Sequence, residues 1–231
     1  MELHVLCAGA AKGLVEALAP ALQAATGATL RGEYGPVGAI KDKWMAGAPC
    51  DVIVLTAAML DALALDGRVQ ADTIAPLGRV HTGIAVRVGE EPPAIADRDA
   101  LRRSLLAAKG LYLPDPERST AGVHFMKVLR ELGIHDIVAS RLRAFESGAA
   151  AMRELGRSIE AGLIGCTQIT EINYAPGVAL VGSLPAEFEL ATVYSVAAAT
   201  TALQQGAARR FAQMLAGPDS RELRVKGGFA I

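Results

Sequence analysis

Leu113-Pro114-Asp115-Pro116-Glu117-Arg118-Ser119-Thr120-Ala121-Gly122-Val123-His124-Phe125-Met126-Lys127-Val128-Leu129 is the stretch from which the fold can be read. It has the form of a strand end, a tight turn and a helix start. Residues 110–113 are mostly apolar, as in a buried parallel strand, and Pro114 and Pro116 stop the strand and fix the turn. Ser119 and Thr120 are good N-cap residues. Phe125, Met126, Leu129 and Leu132 follow at helical spacing before Gly133 closes the helix. A helix that opens at the C-terminal end of a strand turns free backbone N–H groups outward, where they favour an anion, and Arg118 adds a guanidinium beside two hydroxyls. The plainer alternative is an ordinary capped helix with a solvated arginine.

Outward from this stretch, strand and helix patterns alternate. A strand at 4–8 leads to a helix at 11–25 that carries Leu14, Leu18 and Leu22 on one face, with Pro20 inside it as an expected kink. A second strand at 30–34 and the turn Gly35-Pro36-Val37-Gly38 precede a helix running through Trp44. Val52-Ile53-Val54-Leu55-Thr56 reads as a buried strand, followed by a helix at 57–65 and a strand at 83–88. Gly89-Glu90-Glu91-Pro92-Pro93 is a polar, proline-rich break of the kind that bounds a lobe. Beyond it come helices at 97–108 and 148–155, a strand at 162–167, a long strand around Tyr194 and a final helix at 203–216. The pattern predicts an α/β protein of two lobes with largely parallel sheets, one from residues 1–86 with 190–231 and the other from 87–189.

Composition narrows the function classes. The 231 residues are 52% hydrophobic, enough for one large core or two modest ones. With 23 basic against 24 acidic residues, neither a nucleic-acid surface nor a polybasic membrane patch is expected. No uninterrupted apolar run reaches the roughly 18 residues of a membrane span, so no membrane insertion is expected. The chain enters its first strand at once, without a basic, apolar and small-residue leader. That predicts a cytoplasmic protein as the chain stands, or a periplasmic one if a leader is removed. Cys7, Cys50 and Cys166 are odd in number and widely spaced, which predicts buried, reduced thiols.

Catalytic signatures such as GxGxxG, a P-loop, GxSxG or HExxH are absent, and the four histidines lack metal-ligand spacing; neither cofactor nor metal is expected. His124 is the candidate base, one turn inside the helix whose start is expected to meet a ligand. Its neighbours Lys127 and Glu131 also allow a solvated face. Glu146 and Glu171 are further candidates, though two lone carboxylates make no acid–base pair without geometry.

Several landmarks in order resemble the molybdate-binding-protein-like family of solute receptors, with a type 2 periplasmic-binding-protein fold. These are Leu6-Cys7-Ala8-Gly9-Ala10-Ala11-Lys12, Gly47-Ala48-Pro49-Cys50-Asp51-Val52-Ile53-Val54, Pro114 through Gly122, and Tyr194-Ser195-Val196-Ala197. The resemblance covers nearly the whole chain. It implies two lobes that clamp a small anion between helix N-termini, and an ABC permease as partner if the protein is exported. It places ligand contacts at Gly9, Ala10, Ala11 and Lys12; at Val37, Gly38 and Lys41; at Arg118, Ser119, Thr120 and Ala121; and at Glu146, Thr167 and Gln168.

The departures from the family pattern are informative. Ala10 and the Gly35–Gly38 turn stand where molybdate binders carry serines, and Thr167 stands about where a tyrosine is expected. Each lost hydroxyl partner is worth about 1–3 kcal/mol to a buried acceptor. Lys12, Lys41 and Arg118 on or near the ligand loops suit carboxylates instead. The segments Ile164 through Glu171 and Leu184-Pro185-Ala186-Glu187 resemble a divergent branch near aconitate isomerase. Three readings follow: a binding protein for a small organic polycarboxylate, an isomerase of such a compound in the same cleft, and a molybdate or tungstate binder.

Overall fold

Each strand–helix repeat of the sequence becomes one layer of sheet with a helix packed on it, and this puts the helix N-termini at the C-terminal ends of parallel strands. The computed structural model describes all 231 residues. By backbone proximity the chain forms two compact units, Met1–Val80 with Thr192–Ile231, and His81–Ala191.

The first unit opens with β1 (Glu2–Ala8), a 3-10 turn at Gly9–Ala11 and α1 (Lys12–Thr26). β2 (Thr29–Gly35), α2 (Val37–Met45), β3 (Val52–Thr56) and α3 (Ala57–Leu65) follow. β1 pairs in parallel with β2 along its length, from Glu2 opposite Thr29 to Ala8 opposite Gly35, and with β3 on its other side. Pro20 is accommodated within α1, which is helical throughout; Leu14, Val15, Leu18 and Leu22 form its buried face. β4 (Ala75–Arg87) starts in this unit and ends in the second. It is longer than the strand expected at 83–88 and begins in the first unit, where Leu77 and Val80 are buried in the core.

The second unit contains α4 (Arg98–Ala107), β5 (Gly110–Pro114), α5 (Thr120–Glu131), the short α6 (His135–Val138), β6 (Leu142–Phe145), α7 (Gly148–Arg157), β7 (Leu163–Gln168), the short α8 (Ile169–Asn173) and β8 (Val178–Ser183). β5 is its centre, buried along its length and flanked in parallel by β6 and β7. The end of β4 pairs antiparallel with both β7 and β8, so the sheet is mixed rather than parallel throughout. Leu105, Leu111, Leu113, Phe125, Leu129 and Ile164 fill one side, and Tyr112, Met152, Leu155 and Leu163 the other. This two-sided burial is why β5 and β7 read as continuous apolar runs.

The chain then returns to the first unit through β9 (Ala191–Ala198), antiparallel to β3, and ends with α9 (Gln205–Ala216) and α10 (Arg221–Gly227). α9 lays Ala208, Phe211, Ala212 and Leu215 on the core. No helix is long and apolar enough to cross a membrane.

Candidate functional site

In the first unit the loops after β1 and β2 leave the same edge of the sheet, since Ala8 lies opposite Gly35. They carry Gly9, Ala10, Ala11 and Lys12 on one and Val37, Gly38 and Lys41 on the other. Both loops lead into helices without a side-chain cap: Ala11 precedes α1 and Pro36 precedes α2, and neither offers a hydroxyl or carboxylate to the first turn. By contrast α3, on the next loop, is capped by Thr56, whose Oγ1 accepts from Met59 N at 3.4 Å. The methyls of Ala10 and Ala11 and the side chain of Val37 are buried. Lys12 Nζ lies 5.3 Å from the Tyr34 ring centroid and 3.8 Å from Glu16 Oε1. Its side chain is 41% exposed, so these contacts hold it only weakly. Tyr34 is itself held as a neutral phenol, its pKa raised chiefly by burial.

In the second unit three loops leave one edge, after β5, β6 and β7. On the first, Asp115 Oδ1 accepts from the backbone N–H groups of Glu117 at 2.8 Å and Arg118 at 3.0 Å, which folds the Asp-Pro turn back on itself. Ser119 then caps α5, its Oγ accepting from Gly122 N at 3.5 Å. A Cβ at position 122 would lie 2.2 Å from Asp115 O and 2.6 Å from Pro114 O, so only glycine lets the helix start this close to the turn. Thr120 and Ala121 form the first turn, and the Arg118 side chain is exposed. On the second loop Glu146 is exposed and Ser147 caps α7, its Oγ accepting from Ala150 N at 3.1 Å.

The third loop carries Thr167 and Gln168, and with them Glu171. Thr167 Oγ1 donates to Glu171 Oε2 at 2.5 Å. The backbone N–H groups of Ala149 and Gln168 also donate toward this carboxyl. Burial, the largest influence, raises the Glu171 pKa, and the three donors pull it back down. Glu171 sits three residues after Gln168, the N-cap of α8, and so forms half of a capping box. It is the group of this region whose structural place the sequence reading missed. The Gln168-x-x-Glu171 spacing was the available signal.

His124 lies in the second turn of α5. Its Nε2 lies 2.7 Å from Phe188 O and donates to it, tying α5 to the 3-10 turn at Ala186–Phe188. The three cysteines are buried and free, and burial raises all three thiols, Cys50 to about 12, which keeps them protonated and unreactive.

The family model for bacterial extracellular solute-binding protein matches residues 3–230. The chain belongs to that family. An aconitate isomerase from Pseudomonas sp is 31% identical over 227 residues, covering 94% of this solute-binding protein and 83% of the relative. Among solved structures, the periplasmic molybdate-binding protein of Azotobacter vinelandii superposes with a TM-score of 0.78 at 18% identity, covering 99% of each chain. The sulfate-binding protein of Mycobacterium tuberculosis does so with a TM-score of 0.74 at 19% identity, covering 99% of this chain and 86% of that one. These two likenesses establish the two-lobed periplasmic-binding-protein fold of this family member. Its loops carry methyls at Ala10 and Ala11, cations at Lys12, Lys41 and Arg118, and the internal carboxyl group of Glu171.

Proposed function

We propose that this protein recognises a small organic polycarboxylate. One observation carries the reading: two consecutive helices of the first unit, α1 and α2, open without side-chain caps and are lined by the apolar Ala10, Ala11 and Val37, with Lys12 and Lys41 beside them. Uncapped N–H groups and ammonium ions attract negative charge. The missing hydroxyls count against a tetrahedral oxyanion that must be held by neutral donors. Arg118, on the turn before α5, is the planar fork suited to a carboxylate. Gly9, Gly38, Ser119, Thr120, Ala121, Glu146, Thr167 and Gln168 complete the proposed contact set. If the protein is exported, an ABC permease is its natural partner.

A second reading, that the protein isomerises such a compound, is favoured by the likeness to an aconitate isomerase over nearly the whole chain. Shifting a double bond along an unsaturated polycarboxylate removes a proton from one carbon and returns a proton to another. The electrons balance within the substrate, so one base suffices. His124 remains the proposed base, acting through Nδ1 because Nε2 donates to Phe188 O.

A thermal-shift screen tests the first reading. A ligand at a thousand times its Kd stabilises the fold by about 4 kcal/mol. Stabilisation by cis-aconitate, trans-aconitate or citrate, and not by molybdate or sulfate, is the expected result; the reverse pattern overturns it. Incubating wild type and His124→Ala with cis- and trans-aconitate tests the second. Turnover lost in a variant that still binds supports it, and no turnover by wild type rejects it.

A further inference from the structure

Thr82, Gln168 and Thr170 of the second unit are buried with side-chain polar atoms that find no partner, and the first two lie on one face of its sheet. Thr82 of β4 and Gln168 of β7 stand directly opposite each other in the antiparallel register. Directly opposed residues of an antiparallel pair project to the same side. Thr82 is 1% and Gln168 3% exposed, yet Thr82 Oγ1 and both Gln168 amide atoms lack a hydrogen-bond partner. A buried polar group left unpaired costs about 1–3 kcal/mol, so a fold keeps such a pair only for a reason other than its own stability.

Glu171, paired with Thr167 on the other face of β7, shows which anion site is closed. Its carboxyl group accepts from Thr167 Oγ1 and from the Ala149 N–H in the first turn of α7. Ser147 Oγ takes the Ala150 N–H. The fit leaves no spare room, since a Cβ at Gly148 would lie 1.9 Å from Glu171 Oε2 and 2.1 Å from Thr167 Oγ1. The start of α7 is therefore supplied with an acceptor group from within the chain.

We propose that Thr82 and Gln168 are a neutral ligand-reading pair, and that Glu171, held by Thr167 on the other face of β7, is a specificity-determining residue that keeps the α7 N-terminus closed to external anions. A hydroxyl and an amide together offer at most three donors, and their oxygens can also accept. They suit an oxygen of a carboxylate or alcohol, and they do not supply the cage of donors that a tetrahedral dianion requires. This deepens the polycarboxylate reading and rests on it for the ligand's identity, whereas its test does not.

The first arm measures the ligand-free protein. Gln168→Leu and Thr82→Val replace an unpartnered polar group with an apolar one of similar shape. Both variants are expected to melt higher than wild type, as happens when residues kept for binding are made apolar. A melting temperature unchanged or lowered in both would show that the groups are satisfied within the fold and would overturn the pair. The second arm uses formate and sulfate on Glu171→Ala. Formate at about ten times its Kd for the variant should raise the melting temperature of the variant by about 3 °C more than that of wild type. No response in a folded variant overturns the closing role of Glu171. If Glu171→Ala does not fold, Glu171→Gln is examined by NMR. The Ala149 amide proton is expected to follow the ionisation of Glu171 in wild type and not in the variant, and an Ala149 signal alike in both overturns the role equally. If wild type binds no polycarboxylate, the ligand class falls while both arms still report on the pair and on Glu171.

Discussion

Glu171 is the residue whose ionisation should mark the fold most clearly. Its pKa is raised from 4.5 by burial, so the folded protein keeps this proton to a higher pH than the unfolded chain does. The stability tied to that proton is therefore complete below the ordinary carboxylate range and is lost as pH rises through the raised value. In urea denaturation from pH 4 to 8, the stability of wild type relative to Glu171→Gln should fall with rising pH; a flat or rising difference would contradict the assignment. For the ligand contacts, removing a charged hydrogen-bond partner costs about 1.5–3 kcal/mol. Arg118→Ala should thus weaken polycarboxylate binding roughly 10- to 100-fold, and Lys12→Ala less, since an ammonium is the less directional partner. Equal affinity in both variants, measured by calorimetry, would show that neither side chain reaches the ligand. The sequence made Ser119 legible as a cap because capping chemistry is local. The Gln168-x-x-Glu171 spacing signals the capping of α8 by Glu171, but the bond of that carboxyl to the Ala149 N–H depends on bringing α7 and β7 together, a tertiary fact no spacing within either element reveals. His124 has the same cause: its carbonyl partner, Phe188, is 64 residues away.

At the scale of elements, the loop from Pro114 to Gly122 is over-determined. Two prolines, an Asx turn, a serine cap and a glycine all act within nine residues. Gly122→Ala places a methyl group against two backbone carbonyls that cannot turn aside, and strain of this kind costs typically 1–3 kcal/mol. Chemical denaturation should show a loss in that range, and a neutral result would mean that the helix start has freedom the structure does not show. Long, strongly patterned elements such as α1, α5 and β3 were legible from periodicity alone. β6, β8, α8 and α10 were not. β6 is only half-buried and carries Arg143, whose guanidinium stacks on Tyr112 at 5.2 Å and pairs with Glu160 at 2.8 Å, so its pattern reads as polar loop. β8 is partly exposed and gains its strand character from pairing with β4 rather than from its own residues. α8, at five residues, is too short to carry a period.

At the scale of the whole molecule, the family and the two-lobed fold were legible because landmark turns recur in a fixed order, and the matched family model spans residues 3–230. The ligand was less legible, because one fold hosts many ligands and the choice lies in a few loop side chains. In this chain the proposed ones are Ala10 and Val37, the cations Lys12, Lys41 and Arg118, and Glu171 as an internal acceptor. Together they are what supports the proposed reading of a polycarboxylate ligand. The most direct test is titration calorimetry of the ligand-free protein with trans-aconitate, cis-aconitate and citrate against molybdate and sulfate. The account predicts saturable, one-to-one binding of at least one tricarboxylate and no measurable heat from either inorganic oxyanion; sub-micromolar binding of molybdate with none of any tricarboxylate would contradict it.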